Sequence, residues 1–182
     1  MIKLITITTI TTLALFLSIN LYATSESKSI LWNDAGVMKR FYLLPEYMAI
    51  FNLNNHQGKN INTTPFITIY STSELKTKNI KLDPKSSSPL FSDTSDGKPK
   101  YALPGGVIVF FKSGVSDTAI TSWAAQEGVQ LLQRFPHHLQ QKVWLISTPP
   151  GIESLKYADK FLSQKDLIDK TTPNWWYHAV AK

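Results

Sequence analysis

The most restrictive feature of this sequence is the alternation of apolar runs and helical patterns from residue 106 onward. Four apolar runs have the length of strands: 106–111, 129–135, 142–147 and 167–169. Two segments between them carry apolar residues at helical spacing: 116–127 and 152–163. Ser116 is a good N-cap for the first helix, and Gly128 is a typical stop for it. The order βαββαβ predicts an α+β domain of the ferredoxin-like kind, with two helices on one face of a sheet.

The region before this domain predicts a β-rich N-terminal extension with a linker, over residues 24–100. Its apolar and β-branched runs suggest strands: 30–32, 37–44, 47–53 and 66–70. The stretch 83–99 is rich in Ser and Pro, and it predicts a loop or linker, although Leu90 and Phe91 interrupt it.

An internal similarity relates the extension to the start of the domain. Seven residues recur 59 positions apart: Leu31/Leu90, Asp34/Asp93, Lys39/Lys98, Tyr42/Tyr101, Leu44/Leu103, Pro45/Pro104 and Phe51/Phe110. Two copies are too few for a solenoid. The similarity predicts one hairpin-plus-strand unit that is used twice.

The N-terminus predicts export. Met1 to Lys3 is short and basic, Leu4 to Tyr22 is uncharged, and small residues follow from Ala23. This is the pattern of a secretory signal, so residues 1–23 are expected to be a signal peptide. An uncleaved anchor helix is the alternative, but no basic cluster follows the apolar stretch. The expected location is periplasmic or secreted, in a bacterium, with no membrane attachment after cleavage.

Composition narrows the classes of function. The chain of 182 residues has no cysteine, which excludes disulfides, thiol nucleophiles and thiolate metal sites. The net charge of +6 comes from scattered basic residues and accompanies no nucleic-acid motif. We therefore expect no nucleic-acid partner.

Two segments resemble the propeptide domains of subtilisin-family serine proteases. The stretch 104–116 reads PGGVIVFFKSGVS, an apolar strand, a Lys, a small-residue turn and a helix starting at Ser. The ending Pro173-Asn174-Trp175-Trp176 is similar to the Pro-Asn plus aromatic that closes such propeptides. The resemblance covers about residues 104–176. We expect the propeptide-like domain to comprise residues 101–176. Two departures stand out: no catalytic domain follows Trp176 here, and the loop 135–141 has no carboxylate.

The resemblance implies a separately encoded external chaperone and inhibitor of a propeptide-lacking, kexin-like subtilase, with which it forms a heterodimer. The sheet face would dock on two surface helices of the protease, and the C-terminal tail, 177–182, would enter the substrate cleft as an added strand. The residues expected in the cleft are Trp176, Tyr177, His178, Ala179, Val180, Ala181 and Lys182.

No catalytic constellation is evident in the sequence. Serines are plentiful, but none lies in a Gly-x-Ser-x-Gly elbow, and the adjacent His137 and His138 would point apart on a strand. We therefore expect no enzyme activity, no cofactor and no metal. Two alternatives to a place in the protease cleft stay open for the aromatic residues. In the first, Trp175 and Trp176 only pack, one in the core and one against the extension. In the second, an aromatic surface binds a glycan or an envelope component.

Overall fold

The computed structural model describes residues 28–34, 37–52, 66–136 and 141–177. The predicted signal peptide, 1–23, lies outside these ranges. Within them the chain forms mostly strands and few helices, which is compatible with the α+β class. The strands are β1 Ser29–Asp34, β2 Val37–Asn52, β3 Phe66–Ser71, β4 Ser87–Ser92, β5 Tyr101–Ala102, β6 Val107–Phe111, β7 Leu131–Phe135, β8 Val143–Ile146, β9 Ile168–Pro173 and β10 Trp176–Tyr177. The helices are α1 Thr72–Thr77, α2 Asp117–Glu127 and α3 Ile152–Leu162. None of the described helices is long and apolar enough to cross a membrane.

The first sheet is built around β2, which has 16 residues. Its strand order is β1-β2-β4-β5-β10, and β3 also pairs with β2. β1 pairs with the first half of β2 and β3 with the second half. The prediction of two strands separated at Pro45 is wrong, because β2 continues through it. The register with β4 shifts between Leu44 and Met48, and such an irregularity tolerates a proline that has no N–H to donate.

The loop predicted for 83–99 is wrong over 87–92, where β4 lies between β2 and β5. Ser88 and Ser92 are fully buried. The hydroxyl groups of these small side chains form hydrogen bonds with nearby backbone groups. The Ser88 hydroxyl donates to the Pro89 carbonyl at 2.7 Å and accepts the Leu103 N–H at 3.3 Å. A serine-rich strand therefore has the composition of a loop but packs as a central strand.

The second sheet has the order β7-β8-β6-β9, and all its neighbouring strands are antiparallel. Alternate residues of β6 are fully buried and belong to one core cluster with α2 and α3: Val107, Val109 and Phe111. Both predicted helices are present. Ser116 accepts the Ala119 N–H at 3.1 Å, and Gly128 ends α2 with a φ of 68°.

One core cluster joins the two sheets. It includes Trp32, Phe41 and Phe91 from the first sheet as well as the helix-facing residues of the second. The chain crosses between the sheets at Gly105, whose φ is 98°. A Cβ added there would lie 2.6 Å from the Thr148 carbonyl oxygen, so only glycine fits the crossing.

The repeated unit is not reproduced in the pairing. In the first copy Trp32 lies opposite Lys39, but in the second Phe91 lies opposite Tyr101 rather than Lys98. The second copy also leaves the first sheet after β5, whereas β2 continues in it. The longer connection between β4 and β5, closed by the ion pair of Lys100, accounts for the changed register.

Glu127, at the end of α2, links the two helices and gives a pH-dependent stability. Its carboxylate lies 2.6 Å from Lys160 Nζ and accepts the Gln164 amide at 2.6 Å. Lys160 lowers the pKa of Glu127 below its ordinary 4.5, against the effect of burial, and Gln164 also lowers it. A carboxyl group whose pKa is lower in the folded state than in the unfolded state stabilises the fold at pH values above the unfolded pKa. This stability is lost as the pH falls through the lowered folded value.

We expect Glu127→Gln to lower the free energy of unfolding by about 1 kcal/mol at neutral pH, because Lys160 loses its counter-charge. The variant should also lose less stability than the wild type as the pH falls below about 5. Urea unfolding over a pH series measures both effects. Glu153→Gln is the control, since its pair with Lys156 is exposed. Parallel pH profiles for wild type and Glu127→Gln would contradict this prediction.

Candidate binding surfaces

The chain passes from the second sheet back to the first directly after β9. The Asn174 N–H donates to the Gly106 carbonyl at 3.0 Å, and the Asn174 side-chain amide donates to the Gly105 carbonyl at 3.2 Å. β10 then pairs antiparallel with β5, Trp176 opposite Ala102 and Tyr177 opposite Tyr101. Trp176 and the first residue of the predicted tail, Tyr177, are therefore part of the edge of the first sheet.

The two tryptophans pack against different core clusters. Trp175 stacks on Phe41, with ring centroids 4.6 Å apart and an interplanar angle of 28°. Trp176 is half-buried against the second core cluster, which includes Phe51, Leu90 and Ala102. Both rings thus contact the region predicted as the N-terminal extension.

The structure brings together only the first two of the residues predicted for the protease cleft. Trp176 is a half-buried strand residue, and Tyr177 is 59% exposed with its ring 5.3 Å from that of Tyr101. The other five, His178, Ala179, Val180, Ala181 and Lys182, lie outside the described residues. Their place in a cleft stays a prediction.

An aromatic cup lies where β10 meets the first sheet, with a volume of about 210 Å³. Its lining residues are Lys39, Arg40, Phe41, Asp93, Tyr101, Trp175 and Tyr177. Lys100 Nζ lies 2.9 Å from each carboxylate oxygen of Asp93, which lowers the pKa of Asp93 and raises the pKa of Lys100. The lining therefore combines two basic side chains, Lys39 and Arg40, with a carboxylate that is paired with Lys100.

Sequence reasoning identified the aromatic cluster at 175–177 but not the rest of the cup. Phe41 and Asp93 come from strands and turns far from it in sequence. The one available signal was the repeat, which places Tyr101 and Lys39 in the repeated positions. That signal says nothing of which residues meet in space.

The second sheet has an apolar face that belongs to neither core cluster, which we call the open face. Its residues follow from the register, which pairs Ile108 with Leu145 and Phe110 with Val143. Its members are Ile108, Phe110, Gln133, Phe135, Val143, Leu145, Lys170 and Thr172. Val143 is buried, whereas most of the others are only half-buried. Lys170 Nζ lies 5.3 Å from the ring centroid of Phe110, so a cation borders the apolar centre.

The described ranges contain no group of three or more His, Cys, Asp or Glu side chains that could hold a metal. All four histidines, His56, His137, His138 and His178, lie outside those ranges. The expectations that the chain has no metal and no catalytic activity therefore stay predictions.

Comparison of the chain with protein-family models, curated proteins and solved structures found no match. The features that bear on function are therefore the cup, the open face and the resemblance of residues 104–176 to propeptide domains.

Proposed function

We propose that this protein is an external chaperone and active-site-blocking inhibitor of a secreted subtilisin/kexin-like serine protease, and is not itself an enzyme. The proposal includes a propeptide-type, ferredoxin-like domain over residues 101–176. The order β6-α2-β7-β8-α3-β9 in the chain, with β7-β8-β6-β9 in the sheet, supports that assignment, because a βαββαβ order is typical of ferredoxin-like domains. The proposed location is the periplasm or the medium.

The observation that carries the proposal is the open face. In the described part of the chain, α2 and α3 pack on one side of the four-stranded second sheet. Its other side carries Ile108, Phe110 and Leu145, which are half-buried and belong to neither core cluster. Apolar surface that is left outside a core, with a polar or charged border, is typical of protein–protein interfaces. In the propeptide domains that this chain resembles, the corresponding sheet face docks on two helices of the protease. The apolar centre of the open face and its border of Lys170, Gln133 and Thr172 suit such a partner.

The second part of the proposal concerns the cleft. Tyr177 is exposed at the end of β10, so the last described residue of the chain lies at the surface of the protein. Extended residues that leave a sheet edge are suited to add as a strand to a substrate cleft. The open face would hold the protease fold, and the tail would occupy its active site; no cofactor, nucleic acid or membrane takes part.

Leu145→Glu is expected to weaken binding to the protease by about 100-fold, because it places a charge at the desolvated centre of the interface. Its effect on folding should be small, since Leu145 is only half-buried. Ile152→Glu is the matched control: Ile152 is 37% exposed and is the first residue of α3, away from the open face. Inhibition constants with purified protease measure the effect. Wild-type binding by both variants would contradict the role of the open face.

A second function is favoured by the aromatic cup. Flat rings beside charged groups suit the stacking and hydrogen bonding of a sugar ring, and Tyr101, Trp175 and Tyr177 supply such rings. An exported module of this kind would bind a glycan or an envelope component. Retention of the protein on an insoluble glycan, with no affinity for a serine protease, would favour this function over the first.

A further inference from the structure

The last described strand is too short to be held by its own pairing. β10 has two residues and pairs with β5, which also has two residues. β5 pairs with β4 at the single position where Phe91 lies opposite Tyr101. Strand pairs of this length are not stable alone in water. Side chains must therefore keep β10 on the sheet.

Two tryptophans supply these side-chain contacts. Trp175 stacks on Phe41, and its ring also meets the edges of Phe91 and Tyr101, with centroids 5.7 Å and 6.2 Å away. Trp176 packs against the second core cluster. Both tryptophan rings therefore hold β10 at the edge of the first sheet. Phe41 is 7% exposed and lies in β2. The N-terminal sheet thus provides the base on which the C-terminal strand rests.

The same segment is also fixed at its other end. Asn174 donates two hydrogen bonds to the turn at Gly105 and Gly106, where the chain crosses between the sheets. Pro173, just before it, is buried and pairs with Val107. The start of the segment 174–177 is therefore held both by hydrogen bonds to the turn and by the stack of Trp175 on Phe41.

We propose that Phe41 is a positioning residue, and that its stack with Trp175 holds the segment 174–177, from which the proposed inhibitory tail continues, on the first sheet. The inference rests on the proposed function, because the first sheet would then align the inhibitory tail with the cleft of the protease. A tail whose start frays must be ordered during binding, and this ordering weakens the affinity. A tail whose start is already fixed avoids that cost.

The test compares three variants of the full chain. Phe41→Leu keeps an apolar side chain but removes the stack, and Phe41→Tyr keeps a ring. Phe161→Leu is the matched control, since Phe161 is fully buried in α3 with its ring 5.1 Å from that of Trp123. Hydrogen exchange of the segment 174–177 is measured in the free protein, and inhibition constants are measured with a subtilisin-like protease.

We expect Phe41→Leu to speed exchange in 174–177 about tenfold or more and to weaken inhibition about tenfold. Phe41→Tyr should restore both values, and Phe161→Leu should change neither, although it lowers global stability. Equal exchange in wild type and Phe41→Leu would overturn the inference. Equal loss of inhibition in Phe41→Leu and Phe161→Leu would also overturn it, because general destabilisation would then be the cause. A wild type that inhibits no such protease would overturn the proposed function, while the exchange result would still decide whether Phe41 holds the segment.

Discussion

Removal of His178 to Lys182 is expected to weaken inhibition of the partner protease by about 100-fold or more, which corresponds to about 2.7 kcal/mol of binding free energy. Five extended residues span roughly 15 Å, which is enough for several substrate subsites. The small side chains of Ala179 and Ala181 would let the backbone pair closely with strands of the cleft. The shortened protein keeps every residue of the two described core clusters, so we expect it to fold.

The charge at Lys182 tests the direction of the tail. In the proposed complex the ammonium group of Lys182 fills the primary specificity pocket of a protease that cleaves after basic residues. Lys182→Asp should therefore weaken inhibition, whereas Lys165→Asp, at an exposed position after α3, should not. Inhibition constants with the same protease decide the matter. If both the deletion and Lys182→Asp inhibit like the wild type, the block comes from another part of the protein.

Two of the three described helices, α2 and α3, were predicted because their signals are local, whereas the short helix α1 was missed. Ser116 and Gly128 cap α2 at the predicted ends, and Trp123 lies on the predicted apolar side. β4 was not predictable, since its Ser and Pro residues are typical of loops. Its burial depends on β2 and β5, which flank it in the sheet. β10 was missed for a related reason, because two residues show no periodicity.

The candidate sites were predictable only in part. The sequence singled out Trp176 and Tyr177 as unusual, and the structure places them at a sheet edge next to Tyr101. Phe41 was not singled out, because its meeting with Trp175 depends on the path of the chain between two sheets. Residues that are far apart in sequence leave no local pattern when they meet, so the contact between Phe41 and Trp175 could be found only from the structure.

The chaperone role predicts a large difference in folding yield. A subtilase that lacks its own propeptide should give little active enzyme when it refolds alone. The non-local contacts of such a domain form slowly, and its intermediates aggregate. This protein would supply a preformed surface, the open face, on which the protease helices assemble. Leu145→Glu should lose most of the effect, and Ile152→Glu should retain it.

The most direct test of the proposed function is therefore refolding of the denatured protease with and without this protein, followed by removal of the inhibitor and an activity assay. We predict at least about tenfold more active protease when the wild-type chain is present during refolding, and no gain when it is added only afterwards. Full activity of protease that is refolded alone, with the same yield in both samples, would contradict the chaperone role.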